Sequence, residues 1–157
     1  MHTTLVSLFQ RPAKLLAATF AASMLFVAPS ASALDERPSA TGYWKTIDDE
    51  TGETKSIVKI YEVDGKLYGR VDKLLLRPGA LCDKCEGDDK DKPIEGMVVL
   101  WGMSDDDGDG DWTGGKIFDP QKNKTYTCQI WLKDGNLMVR GYIGPFFRTQ
   151  TWIRSSR

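Results

Sequence analysis

Histidine is almost missing from this chain. His2 is the only one, and it lies in a stretch that reads as a removable leader. The commonest general base and the commonest metal ligand are thereby taken out of consideration. The sequence offers no Ser–His or Cys–His arrangement, and no spacing among its acidic residues singles out a catalytic pair, so it points away from an enzyme. Long apolar runs are a second shortage: the uncharged stretch Leu15 to Ala28 is shorter than the ~20 residues a membrane-spanning helix needs. A basic excess is lacking too, with 21 Lys and Arg against 22 Asp and Glu, so nothing draws in nucleic acid or an anionic membrane. Finally, no segment sustains an apolar repeat of 3.6 residues, which argues against helices.

The start of the chain carries the three parts of an export signal. Arg11 and Lys14 give a positive region, Leu15 to Ala28 an apolar one ended by Pro29, and Ala31-Ser32-Ala33 the small residues a signal peptidase requires. The expectation is a cleavable signal peptide over residues 1–33, cut after about Ala33. The product would be periplasmic or secreted, with no membrane span after cleavage. Without Arg11 and Lys14 the net charge is 19 − 22 = −3. What remains suits one domain. Residues 34–41 read as a short polar lead-in, and 42–157 as the domain proper.

That domain reads as short β-rich runs separated by turns. The runs are Tyr43 to Ile47, Lys55 to Val63, Leu67 to Leu76, Met97 to Met103, Trp112 to Phe118, Lys124 to Leu132, Leu137 to Ile143 and Phe147 to Ile153. Asp64-Gly65 and Asp134-Gly135 are hairpin signals, because such turns require positive φ. A long polar loop spans 77–95, and five aspartates with two glycines make another loop after Met103. Consecutive hairpins of this kind predict an all-β, eight-stranded antiparallel up-and-down barrel, whose closure removes both exposed edges. Its interior would be filled by side chains or hold one small ligand.

The residues Gly42-Tyr43-Trp44 at the first strand and Thr151-Trp152-Ile153-Arg154 at the last are similar to the ends of lipocalin-like (calycin-like) barrels. That resemblance implies barrel closure by Gly42, Trp44 and Arg154, the arginine packing across the indole. The domain also resembles the exported bacterial family of domain of unknown function 2147. The resemblance is carried by Cys82-Asp83-Lys84-Cys85-Glu86-Gly87, Lys92-Pro93-Ile94-Glu95-Gly96-Met97, Trp112 to Pro120, Lys124-Thr125-Tyr126, Val139 to Gly144 and Arg148 to Trp152. It implies a lipocalin-like barrel and an exported location, and no particular activity.

Several residue groups are candidate sites. In an oxidising compartment the default for Cys82-x-x-Cys85 is a disulfide. A redox pair would want a helix N-terminus, and zinc would want more ligands than three cysteines supply. Cys128 is the odd thiol. Asp105, Asp107 and Asp109 match the first half of a calcium loop, but the twelfth position is Lys116 in place of a bidentate Glu, so a solvated hairpin loop is the better reading. Arg140 and Tyr142 project from one face of their strand, similar to the Arg-x-Tyr pair that holds an acyl carboxylate in fatty-acid-binding proteins. Arg148 and Gln150 repeat the spacing. Alternation alone leaves open which face points inward. With Trp101 and Tyr126, these four form the ligand-contacting set. No cofactor is expected. The leading expectation is a binder of a small hydrophobic or amphipathic ligand, and the alternative is a filled barrel that contacts an envelope protein.

Overall fold

The computed structural model describes residues 39–157. The expected signal peptide, and residues 34–38 of the lead-in, lie outside the described residues. Eight strands follow in order: β1 Gly42–Ile47, β2 Thr54–Val63, β3 Lys66–Leu74, β4 Val98–Met103, β5 Asp111–Asp119, β6 Lys124–Lys133, β7 Asn136–Ile143 and β8 Phe146–Ser155. Each pairs antiparallel with the next, and β8 returns to β1 through Tyr43↔Ser155, Trp44↔Arg154 and Lys45↔Ile153, so the sheet closes on itself as a barrel. Among the described residues no helix is long and apolar enough to cross a membrane.

Turn chemistry sets this meander. At both Asp-Gly corners the two central residues have positive φ: 50° and 73° at Asp64-Gly65, 51° and 76° at Asp134-Gly135. That is the twist a two-residue hairpin demands. The third strand is shorter than its sequence pattern. It stops at Leu74, because Leu75 and Leu76 turn out to solvent, and their N–H groups donate to the carbonyl of Lys55 instead of extending the β3–β4 ladder.

The inner face alternates with the outer one along β3 and β7, whereas β2 and β4, at their register shifts, bury the consecutive pairs Ile57-Val58 and Val99-Leu100. At one end of the barrel the interior is solid: Trp44, Ile60, Leu100, Met103, Ile130 and Leu137 are fully buried. That end is latched from below. The Trp44 Nε1 donates to the Ala40 carbonyl at 2.8 Å, and the Arg154 guanidinium lies 4.1 Å over the indole. Arg154 also donates to the carbonyls of Thr41 and Ser39 at 3.2 and 2.6 Å. Residues 39–41, which read as the tail of a polar lead-in, therefore form the floor, with Ala40 fully buried.

The 77–95 loop is polar in sequence, but its buried residues join the barrel's own hydrophobic core. Cys82 and Cys85 are disulfide-bonded and buried, Ile94 is buried, and Leu81 bridges Pro93. The Glu95 carboxylate accepts the Leu74 N–H at 2.8 Å, which ties the loop to the end of β3.

Candidate functional site

Toward its other end the barrel is not filled. A cavity of about 290 Å³ opens among the β1–β2, β3–β4 and β5–β6 connections. This is near the lower end of the roughly 300–1,000 Å³ found for small-molecule sites. Its walls are largely apolar: Val58, Val71, Leu74, Val99, Ile117 and Val139 all reach it. Ala80 and Ile94 come from the folded loop over the mouth. Of the polar wall residues, Thr46 and Ser56 satisfy one another through a 2.7 Å hydroxyl–hydroxyl bond.

The barrel's last strand organises the polar side. Ladder partners on β7 and β8 are Leu137↔Trp152, Val139↔Gln150 and Gly141↔Arg148. Leu137 and Val139 are buried, so Trp152, Gln150 and Arg148 share the inner face, one above another from floor to mouth. Gly141 leaves the inner face without a side chain there, and Tyr126 occupies the space, its Cβ 3.3 Å and its ring Cγ 3.5 Å from where a Cβ would stand. The Trp152 Nε1 donates to Gln150 Oε1 at 3.3 Å, which turns the Gln150 amide nitrogen outward. That nitrogen and the Arg148 guanidinium both donate to one oxygen of Asp49, at 2.5 and 2.6 Å.

Three of the six sequence candidates thus line the cavity: Arg148, Gln150 and Tyr126. The other three do not, and their place in the ligand-contacting set is corrected. Arg140 pairs across to Gln129 and Thr149, on the opposite face from Val139. Its guanidinium lies on the outside of the barrel between the rings of Trp131 and Phe147, at 4.8 and 4.7 Å, and donates to Thr149 Oγ1. Tyr142 follows the same parity and donates its hydroxyl to Gln129. Trp101 pairs with Lys116, one step from the inward pair Leu100↔Ile117, so it also faces away. The apolar residues of β7 occupy the inner face because burying Leu137 and Val139 is favoured and burying an unpaired arginine is not. Asp49 is a site residue that sequence patterning does not reveal. It comes from a loop, and only its tertiary partners distinguish it from other surface acids.

The remaining candidates lie elsewhere. Asp105 accepts from the Gly110 N–H and Asp109 from that of Asp111, so these carboxylates serve the loop's own backbone. Among the described residues no cluster of three or more His, Cys, Asp or Glu is placed to hold a metal ion. Cys128 faces inward between Gly115 and Gly141 and is buried. Burial pushes its thiol up to about 12 from an ordinary 9.0, because the thiolate would lose its hydration. The folded protein is therefore expected to resist a disulfide thiol reagent in mildly alkaline buffer, and the unfolded chain to react at one thiol. The same shift has a sign for stability. The buried neutral thiol contributes fully below pH 9 and loses that contribution as pH rises toward 12. A Cys128→Ala variant measured in parallel should converge on the parent across that window.

Comparison with other proteins places this architecture. The family model described as an uncharacterized protein conserved in bacteria (DUF2147) matches residues 42–154. No curated protein matches the chain by sequence. Among solved structures, protein HP1028 from the human pathogen Helicobacter pylori, described as belonging to the lipocalin family, is similar with a TM-score of 0.68 and 20% identity. The match covers 76% of this chain and 85% of that one. At that identity the likeness speaks for the fold alone.

Proposed function

The chain belongs to the bacterial family DUF2147, and on the premise that its members share this lipocalin-like barrel we propose that the protein is an exported, non-catalytic binder of a small amphipathic molecule. The observation that carries the reading is the half-filled interior: a solid, latched floor under a cup of about 290 Å³ that opens at one end. The ligand's apolar part would lie against Val58, Val71, Val99 and Val139, and its polar end at the mouth beside Arg148 and Gln150. The export pattern of residues 1–33 supports a periplasmic or secreted location. A binder is favoured over a catalyst because the lining offers charge and hydrogen bonds, while the chain's one histidine is His2. A filled barrel that acts only through its outer surface fits less well, since a fold without a cargo has no need of an open apolar cup.

The test fills the cup. Val139→Phe places a ring into space that Val139 borders. A neutral apolar dye whose emission rises on leaving water, such as N-phenyl-1-naphthylamine, is expected to bind the parent protein. The variant should bind it at least ~10-fold more weakly, the loss of a well-buried apolar contact, with little change in melting temperature. Absence of dye binding to the parent, or equal binding to both forms, would sink the reading.

A further inference from the structure

Asp49 is held in an unusual way for a surface carboxylate. The β1–β2 loop that carries it is stiffened by Asp48, whose Oδ1 accepts from the N–H groups of Glu50 and Thr51 and from the Thr51 hydroxyl. The backbone hydrogen bond from Thr51 is the first cause that lowers the Asp48 pKa. Asp48 thus folds the loop, and Asp49 turns inward over the mouth. There its Oδ2 takes hydrogen bonds from two donors on β8, the Arg148 guanidinium and the Gln150 amide. The amide is in turn oriented by Trp152 at the cavity wall. Two converging donors on one carboxylate oxygen, at the rim of an apolar cup, are the arrangement that would receive the head of a carboxylate amphiphile.

We propose that the cup is a site for a monoanionic carboxylate amphiphile, and that Asp49 is its built-in occupant, displaced from Arg148 and Gln150 when the ligand's own carboxylate enters. The proposal rests on the cup being a binding site and adds the class of head group and the competitor for it. Charge balance supports it. Four acidic and four basic side chains border the cavity with Asp49 in place. Withdrawing Asp49 leaves one positive charge in excess, which a single carboxylate neutralises. A neutral head group would leave Arg148 without a partner of opposite charge at the mouth, and a dianion would overshoot. Because Arg148 remains about half exposed, the Asp49 contact is weak enough to exchange.

Decanoic acid and decanol share a chain and differ in head charge, so they separate this idea from the simpler one. Binding of each is measured by calorimetry or dye displacement on the parent protein, Asp49→Ala and Arg148→Gln. The parent should prefer the acid. Asp49→Ala should tighten the acid about five-fold and leave the alcohol unchanged, the size expected of a partly exposed charge pair. Arg148→Gln should abolish the preference by weakening the acid alone. If acid and alcohol bind equally in all three forms, or if Asp49→Ala weakens the acid, the cup stands and the anion site falls. If neither ligand binds any form, both ideas fall. Arg148 and Asp49 lie at the rim with substantial exposure, so neither variant threatens folding, and equal melting temperatures check this.

Discussion

Replacing Trp44 by alanine is expected to destabilise the barrel by about 3–5 kcal/mol, the range for a large aromatic removed from a closed interior. Three physical losses combine. The indole is fully buried, so its removal opens a void at the floor that the β1–β2 and β1–β8 ladders hold apart. The Ala40 carbonyl loses the Nε1 donor at 2.8 Å and is left buried without it, a penalty of about 1–3 kcal/mol in its own right. The Arg154 guanidinium loses the ring beneath it. Arg154→Ala should cost far less, about 1 kcal/mol, since a cation over an aromatic face at an exposed position contributes about 0.5–1 kcal/mol and the freed carbonyls of Ser39 and Thr41 can reach water. Trp44→Phe should fall between the two. Urea unfolding decides the order, with midpoints read at unchanged slope. An Arg154→Ala loss as large as that of Trp44→Ala would mean that the latch, not the filled floor, holds this end.

Gly115→Ala is the smallest substitution with a comparable effect. Gly115 has an ordinary negative φ, so the constraint is space, not backbone conformation. An added Cβ would stand 2.3 Å from the Met103 sulfur, 2.5 Å from the Trp101 carbonyl oxygen and 2.8 Å from the Met103 nitrogen. The sulfur can swing aside. The two backbone atoms cannot move without parting β4 from β5. That ladder is already thin, with Leu100↔Ile117 and Trp101↔Lys116 as its register and an isolated bridge, Ser104↔Thr113, beyond. A loss of about 3 kcal/mol or more is expected, at or above the usual range for overpacking. Gly141→Ala is the control. Its added Cβ would stand 3.3 Å from the Tyr126 Cβ and 3.5 Å from its Cγ, a contact that a small shift relieves, so a loss of about 1 kcal/mol is expected. Thermal melts of the two variants should differ by several degrees. A Gly115→Ala protein that melts with the parent would show that β4 and β5 separate more freely than their geometry implies.

All eight strands were legible because their information is local. Asp64-Gly65 and Asp134-Gly135 dictate their own geometry, and alternation in β6 puts Cys128 and Ile130 on one face. The site was legible in part, and the boundary has a physical cause. Alternation tells which residues share a face but not which face is inside. For β8 an anchor existed: Arg154 and Trp44 pair at the base, so Trp152, Gln150 and Arg148, at the same parity, follow them inward. Carrying that parity to β7 needs the register Leu137↔Trp152, which follows only once Gly144-Pro145 is taken as a two-residue turn, and without it the facing of Arg140 and Tyr142 stays open. Likewise, the spacing of Cys82 and Cys85 announces their bond but not the burial of their loop. Asp49 illustrates the limit most clearly. It lies 101 residues before Gln150, and nothing near it in the chain tells it apart from Asp48 or Glu50.

The closure of β8 onto β1 has a consequence in time. Each earlier strand can pair with its predecessor as soon as both exist, at small loop-closure cost, but β1 must wait for the far end of the chain. That last strand delivers Arg154 to the floor and Arg148 with Gln150 to the mouth. A partly folded chain that lacks β8 would have neither a sealed base nor the Arg148 and Gln150 donors at the rim. The step that finishes the wall is thus also the step that completes the cup.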